Sequence, residues 1–516
     1  MRTNQVRTEN GIIRGVNGWD PRVTAFKGIP YAKPPVGELR WKSPQPAENW
    51  EGVRIADHFA PISVQNQPGV NPEEFWTEEI HPAAADYPQS EDCLYLNVFT
   101  CAKTYDEKMP VLFYIHGGGY QGGYPYEVEF DWEHMARKGI VVVSAAYRLG
   151  ALGFLAHPLL SAEDPDAPKG NFGLEDQLAA IAWTKRNIAV FGGDPDRITI
   201  AGQSAGAGSV QNLITSPFSA GMIQGAIVES GVIATFPDSH PGLTPQSLEK
   251  AEEIGERFFE KAGIRTMDEA RALPAEQVLA ITNEMGRGVL FSPTVDGIFL
   301  PETPFEAYVH NTVPAIPMIV GYNLGETRGF MRLWSRLPET LEELYTYADR
   351  YGADRGEFLR IADAKSDEDV VKLFDSDGFC DFIAGSRLVG ALRAKAGQKA
   401  YIYEFDPEIP GDDNAGSYHG CEMWFAYDSL ARCWRPFSGK HYDLARQTSS
   451  YWVNFVKTGD PNGLDTNGCE LPRWEAYTVE DRYVQSFTDV PAKLGKSEDE
   501  LMKFRMEIAC RAVTKQ

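Results

Sequence analysis

The residues with the most chemistry to offer lie around Ser204. Gly202-Gln203-Ser204-Ala205-Gly206 is a G-x-S-x-G pattern that directly follows a short apolar run, Ile198 to Ala201. A serine hydroxyl is a weak nucleophile unless a sharp turn exposes it and a base takes its proton. Small residues on either side allow that turn and let a helix pack close behind it. A second pattern lies upstream, where the apolar run Val111 to Ile115 ends in His116-Gly117-Gly118-Gly119-Tyr120. Backbone N–H groups at Gly118 and Gly119, joined by that of Ala205 after the serine, are suited to cradling a developing oxyanion. Either pattern alone also fits an ordinary glycine-rich turn; the two together point to acyl transfer.

Acyl transfer also needs a base and a group to orient it. Of the nine histidines, four follow Ser204: His240, His310, His419 and His441. With a serine on a strand-to-helix elbow the expected chain order is Ser, then Asp or Glu, then His. His240 and His310 precede any acid on a late strand end, and His441 opens an amphipathic helix, where packing or surface exposure accounts for it. His419 sits in a glycine-flanked loop, Gly416 to Gly420, beyond the apolar run Ala400 to Phe405. The acid is expected after the run Ile316 to Gly321, where Tyr322-Asn323-Leu324-Gly325-Glu326-Thr327 offers one carboxylate, Glu326. Asp296 is the alternative acid, although its Asp-Gly context reads as a turn.

These residues need a frame. Continuous apolar runs at Val111–Ile115, Ile140–Ala146, Ile198–Ala201, Ala226–Glu229, Ile316–Gly321 and Ala400–Phe405 read as strands buried on both faces. Helices are expected at Leu174–Ile188, Glu249–Ala262 and Tyr442–Lys457, the last stopped by the Thr458 to Gly463 turn. The fold class is therefore α/β, a large mostly parallel central sheet flanked by helices. With no repeat or long linker in its 516 residues, the chain reads as one catalytic domain, 1–516, with large loop and helical insertions, a substantial loop among them at Pro237 to Gly242.

Net charge is −24, which disfavours nucleic acid and anionic membranes as partners. No apolar run approaches the roughly 20 residues of a membrane span. The N-terminal residues lack an apolar leader core. The seven cysteines include no C-x-x-C pair, so they read as reduced thiols of a cytoplasmic protein and give no zinc site. A small-molecule substrate is expected; oligomeric state has no signal in the sequence.

Beyond these motifs, Phe26-Lys27-Gly28-Ile29-Pro30-Tyr31-Ala32, Pro34-Pro35-Val36-Gly37, Glu91-Asp92-Cys93-Leu94-Tyr95-Leu96-Asn97-Val98, Tyr147-Arg148-Leu149-Gly150 and Phe191-Gly192-Gly193-Asp194-Pro195 stand in order along nearly the whole chain. Together they resemble the type-B carboxylesterase/cholinesterase family of α/β-hydrolases, in the style of its bacterial p-nitrobenzyl esterase members. The resemblance implies cofactor-free hydrolysis of carboxylic esters through an acyl-enzyme. It places the nucleophile on Ser204, the acid on Glu326, the base on His419 and the oxyanion donors on Gly118, Gly119 and Ala205. It places supporting residues on Glu422 and Ser230.

Two departures stand out. Gln203 replaces the glutamate common before the nucleophile, which removes a charge and argues against choline esters. The usual disulfide partner of the Cys93 position falls on Ser63, so that bridge is expected to be missing. By family position Tyr120, Phe291, Phe330, Trp334, Trp424 and Phe425 line an aromatic pocket for short-chain or aromatic esters; core packing is the alternative for each. An amidase, thioesterase or lipase, or a non-catalytic binding member of the family, are the other functional readings. An imidazole base predicts activity that rises near the reference histidine pKa of about 6.5.

Overall fold

The computed structural model describes residues 4–70, 75–81, 87–234, 236, 244–286, 289–326, 337–494 and 498–514. The apolar runs become strands of one 13-stranded sheet. At its centre Val141–Ala145, Met109–Ile115, Gly193–Gln203, Gly225–Glu229, Met318–Asn323, Ala400–Phe405 and Val484–Phe487 lie side by side and parallel. Antiparallel strands extend one edge, beginning with Tyr95–Thr100 against Val141–Ala145 and Thr24–Pro30 beyond it.

Side chains alternate across a strand, so each central strand feeds two cores. Val111, Phe113 and Ile115 join one apolar cluster, and Leu112 and Tyr114 join the other. Ile198 and Ile200 likewise face one side while Ala201 faces the opposite one. This double burial explains why the strands read as unbroken apolar runs. The helices Phe172–Asn187 and Leu248–Ala262 cover one side, and Gly439–Thr458 covers the other. The last ends at Gly459, whose φ of 73° makes the left-handed cap a glycine accepts without strain.

Strand ends are set by backbone chemistry. The run expected from Ile316 becomes a strand from Met318: Pro317 has no N–H to give the ladder and contributes only its carbonyl, which accepts from the Ala226 N–H at 3.2 Å. It then continues past Gly321 to Asn323, which brings its end close to Glu326. All seven cysteines are free thiols. Cys93 is buried, Ser63 hydrogen-bonds to it, and burial pushes its thiol up to about 12. Among the described residues no helix is long and apolar enough to cross a membrane, and no group of three or more metal-ligating side chains gathers.

Candidate active site

The strand Gly193–Gln203 stops at Ser204, and the helix Ala205–Thr215 starts immediately after it. Ser204 has φ 57° and ψ −124°, a conformation that costs a non-glycine residue about 1–3 kcal/mol and persists only when its surroundings impose it. Those surroundings are visible. The Ser204 N–H donates to the carbonyl of Glu229 at 2.9 Å. A Cβ on Gly206 would come within 2.2 Å of the Ile115 carbonyl oxygen, so only glycine lets the new helix pass the neighbouring strand end.

Glu326 and His419 arrive on the loops that follow two adjacent strands, Met318–Asn323 and Ala400–Phe405. The loops are joined directly. The Gly325 N–H donates to the carbonyl of Ser417 at 3.1 Å, and Asn323 Nδ2 donates to the carbonyl of Tyr418 at 2.8 Å. The result is a 2.5 Å contact between His419 Nδ1 and Glu326 Oε2, with Glu326 1% and His419 8% exposed. The other carboxylate oxygen, Oε1, accepts from the Asn323 N–H at 3.0 Å, which fixes the carboxylate. Burial lowers the His419 pKa. The charge and hydrogen bond of Glu326, together with the charge of Glu422, outweigh it and leave the imidazole above its usual 6.5.

Glu422 Oε1 accepts from Ser230 Oγ at 2.6 Å, and Oε2 accepts from Asn323 Nδ2. Burial and the nearby Glu326 charge raise the Glu422 carboxyl to about 7. Phe382 stacks parallel to the His419 ring at 5.7 Å and Trp76 meets its edge at 6.4 Å. His419 Nε2 lies 3.2 Å from Gln203 Nε2. With Nδ1 donating to Glu326, Nε2 carries the lone pair and the Gln203 amide donates to it. Among the described residues Ser204 Oγ makes no hydrogen bond.

A cavity of about 390 Å³ is lined by Ser204, His419, Gly118, Gly119 and Ala205 among others. The left-handed φ values of Gly118, 102°, and Gly119, 62°, turn this loop past the serine. At Gly118 a Cβ would meet the Gly122 carbonyl oxygen at 2.2 Å. Ala205 is the first residue of its helix, so its N–H has no partner within that helix. Among the described residues none accepts from the N–H of Gly118, Gly119 or Ala205.

Of the expected pocket aromatics, Tyr120 lines the cavity. Phe291, Trp424 and Phe425 do not: they are 1%, 1% and 0% exposed and belong to the packed core. Phe291 packs edge-on to Phe258 at 6.0 Å, and Phe425 edge-on to Phe405 at 5.0 Å. The physical reason is the second apolar face of the sheet, which takes Trp424 and Phe425 from the helix that carries Glu422. Phe330 and Trp334 lie outside the described residues, as does His240.

The aromatic lining that the sequence does not reveal is Trp76, Phe130 and Phe382. Trp76 and Phe382 come from helices remote from the motifs and Phe130 from the loop that follows the oxyanion glycines, and nothing in their local sequence marks them. Asp296 accepts the N–H groups of Lys169, Ile298 and Leu300, so it ties a turn. His441 Nδ1 accepts from the Ser438 N–H at 2.9 Å and caps its helix.

A parallel sheet with a strained serine elbow at a strand end, and a carboxylate–imidazole pair on later strand ends, defines an α/β-hydrolase. The carboxylesterase family model matches residues 2–504, and the chain belongs to that family. It is 34% identical over 469 residues to the fumonisin B1 esterase of Sphingopyxis macrogoltabida, covering 88% of this chain and 82% of that protein. It is 31% identical over 524 residues to human cocaine esterase, covering 94% of this chain and 87% of that protein. The crystal structure of a Geobacillus stearothermophilus carboxylesterase at pH 6.2 superposes with a TM-score of 0.78 at 32% identity, covering 98% of this chain and 99% of the other. A PNB esterase structure gives a TM-score of 0.78 at 28% identity with the same coverage, 98% and 99%. The protein is a carboxylic ester hydrolase.

Proposed function

We propose that Ser204, His419 and Glu326 carry the hydrolysis. Ser204 Oγ attacks the ester carbonyl carbon as His419 Nε2 takes its proton. The oxygen that becomes negative is held by the N–H groups of Gly118, Gly119 and Ala205. His419 then gives its proton to the departing alkoxide, and the C–O bond to the alcohol breaks. The acyl-enzyme is cleaved by water along the same path in reverse, with His419 taking the water's proton and returning it to Ser204. Glu326 keeps Nδ1 protonated and stabilises the imidazolium. Because the Gln203 amide donates to Nε2 in the resting site, the serine hydroxyl must take over that acceptor when substrate binds.

The observation that carries this reading is the 2.5 Å Glu326–His419 contact, with His419 and the strained Ser204 lining one cavity. We expect Ser204→Ala to lower p-nitrophenyl acetate hydrolysis by about 10⁴-fold or more. A fluorophosphonate should label Ser204 one-to-one, mapped by mass spectrometry; a few percent residual activity in the variant, or label elsewhere, refutes the assignment.

The cavity volume of about 390 Å³ and its rings Trp76, Tyr120, Phe130 and Phe382 favour short-chain or aromatic acyl esters. An acyl-length series run beside amides and thioesters tests this; a preference for chains beyond about ten carbons would mark a lipase-like site instead. We further read residues 1–516 as one catalytic domain, since strands from Gln5 to Lys493 share one sheet. Seven free thiols favour a reducing, cytoplasmic setting. The charge of −24 argues against nucleic acid and anionic membranes as partners.

A further inference from the structure

Two of the three oxyanion donors, the N–H groups of Gly118 and Gly119, sit on the loop 117–123. A peptide group is planar, so each N–H points away from the carbonyl that precedes it. The direction of the Gly119 N–H is therefore set by the Gly118 carbonyl, which accepts from the N–H groups of Gln121 and Gly122, both at 3.0 Å. The direction of the Gly118 N–H is set by the Gly117 carbonyl, which accepts from His116 Nδ1 at 3.0 Å. Gly123 closes the loop against that same peptide: a Cβ there would lie 2.5 Å from the Gly117 carbonyl oxygen and 2.6 Å from His116 Nδ1. The loop is strained as well as tight. Gly118, Gly119, Tyr120 and Gly123 all have left-handed φ values, and at Tyr120, with φ 62°, the surroundings must impose that conformation on a residue with a side chain.

A clamp on this loop comes from Gln65. Its Oε1 accepts from the Gly123 N–H at 2.8 Å, and its Nε2 donates to the Gly123 carbonyl at 3.0 Å. One amide thus holds both backbone groups of one residue, as a neighbouring strand would. Nε2 also donates to the Ser63 carbonyl at 3.1 Å, and Gln65 is 3% exposed. Among the described residues no other side chain outside 116–123 hydrogen-bonds to the backbone of 117–123. Gln65 is itself braced. Its N–H donates to Gln89 Oε1 at 2.8 Å, and Gln89 Nε2 donates to Gln67 Oε1 at 2.7 Å. With Cys93 a free thiol beside Ser63, amide hydrogen bonds hold this segment where no disulfide does.

We propose that Gln65 is a positioning residue of the hydrolysis: by clamping Gly123 it keeps the Gly118 and Gly119 N–H groups aimed at the oxyanion. Both ends of its amide are engaged by backbone, so it acts through the loop and not on the substrate. Its effect belongs to the transition state, because those N–H groups strengthen their hold as the carbonyl oxygen becomes negative. Loss of the clamp should therefore lower kcat and leave KM nearly unchanged. This rests on the reading of Gly118 and Gly119 as oxyanion donors.

The test pairs p-nitrophenyl acetate with its thiono analogue, in which sulfur replaces the carbonyl oxygen. Sulfur is larger and a weaker acceptor, so the ratio of kcat/KM between the two esters reports how well the donors fit an oxyanion. Damage to the triad or a general loosening slows both esters alike and leaves the ratio alone. Gln65→Met keeps the length of the side chain and removes both bonds to Gly123. It should lower kcat for the oxygen ester by on the order of 10- to 100-fold, hold KM within about threefold and reduce the oxygen-to-sulfur ratio about 10-fold. The midpoint of the pH profile should stay in place, since Glu326 and His419 are not touched.

Gln89→Leu removes the brace without touching the loop. It should move the ratio in the same direction by a smaller factor, and it decides the matter if Gln65→Met does not fold. An unchanged ratio in folded Gln65→Met, whether its kcat is normal or reduced, overturns the positioning role and leaves the esterase reading intact. With Gln65→Met unfolded, an unchanged ratio in Gln89→Leu does the same. A wild-type ratio no larger than that of hydroxide hydrolysis would show that Gly118 and Gly119 do not meet the oxyanion, and the role of Gln65 falls with that assignment.

Discussion

His419 acts as a base only when neutral, and its surroundings resist that state. Glu326 and Glu422 hold its pKa above 6.5 against the pull of burial. The pH dependence of kcat/KM should therefore rise through a midpoint above 6.5, later than an unperturbed imidazole gives. A profile rising at or below 6.5 would mean that this imidazole is not the titrating base. Gln203 offers a sharper check on the same group. Its amide donates to His419 Nε2 without adding charge. A carboxylate in its place would accept from a protonated Nε2 and favour the imidazolium, so Gln203→Glu should move the midpoint to higher pH and lower the rate at neutral pH. An unmoved midpoint would show that this contact does not persist in solution. Glu326→Gln should cost about 10⁴-fold in kcat, because an amide no longer selects the Nδ1–H tautomer or stabilises the cation.

The serine elbow is a property of two elements at once, the strand Gly193–Gln203 and the helix Ala205–Thr215. Gly206 lets the helix pass 2.2 Å, measured from a would-be Cβ, from the Ile115 carbonyl, a backbone atom that cannot swing aside. Gly206→Ala should therefore push the helix off the sheet, with about 1–3 kcal/mol lost in chemical denaturation and a larger proportional loss of activity as Ser204 shifts. Wild-type stability in that variant would mean the helix has slack that its packing does not suggest.

This elbow is legible in the amino-acid sequence because its requirements are local: an apolar strand, a small residue where a backbone passes, a serine between. Glu326 and His419 are legible because strand order fixes which loop ends meet, and each loop offers one residue of the type required: one carboxylate in 322–327 and one histidine in 406–420. The cavity wall is not. Trp76 and Phe382 reach His419 from helices far away in sequence, Phe75–Ile80 and Asp381–Lys395, and their ring contacts depend on how those helices dock. Trp424 and Phe425 share a short helix with Glu422, and only the packing of that helix decides that they serve the core.

At the scale of the whole molecule, the same acidity that surrounds the site sets how stability responds to pH. Burial leads the upward shifts of four carboxyls: Glu129 and Glu229 to about 8, Glu422 and Glu175 to about 7. In the unfolded chain each would ionise near about 4.3. Between these limits the folded protein holds protons that the unfolded chain has released, so stability falls as pH rises. The raised His419 has the same sign, since its contribution is complete below the unfolded value and is lost as pH climbs through the folded one. The net charge of −24 adds self-repulsion that also grows with pH. Opposing them are carboxylates held down by hydrogen bonds with arginines, such as Glu9 with Arg186 and Asp413 with Arg435, whose help disappears only as pH falls below the ordinary carboxylate range. The thermal midpoint should therefore peak in mildly acid solution, at about pH 5 to 6, and decline steadily toward pH 9. A pH series of thermal melts checks this, and Glu229→Gln, which removes one of these titrating groups, should flatten the decline. Activity needs the opposite condition, a neutral His419. The pH of greatest stability should thus lie below the pH of greatest turnover, and coincident optima would show that the buried carboxyls do not titrate as their burial requires.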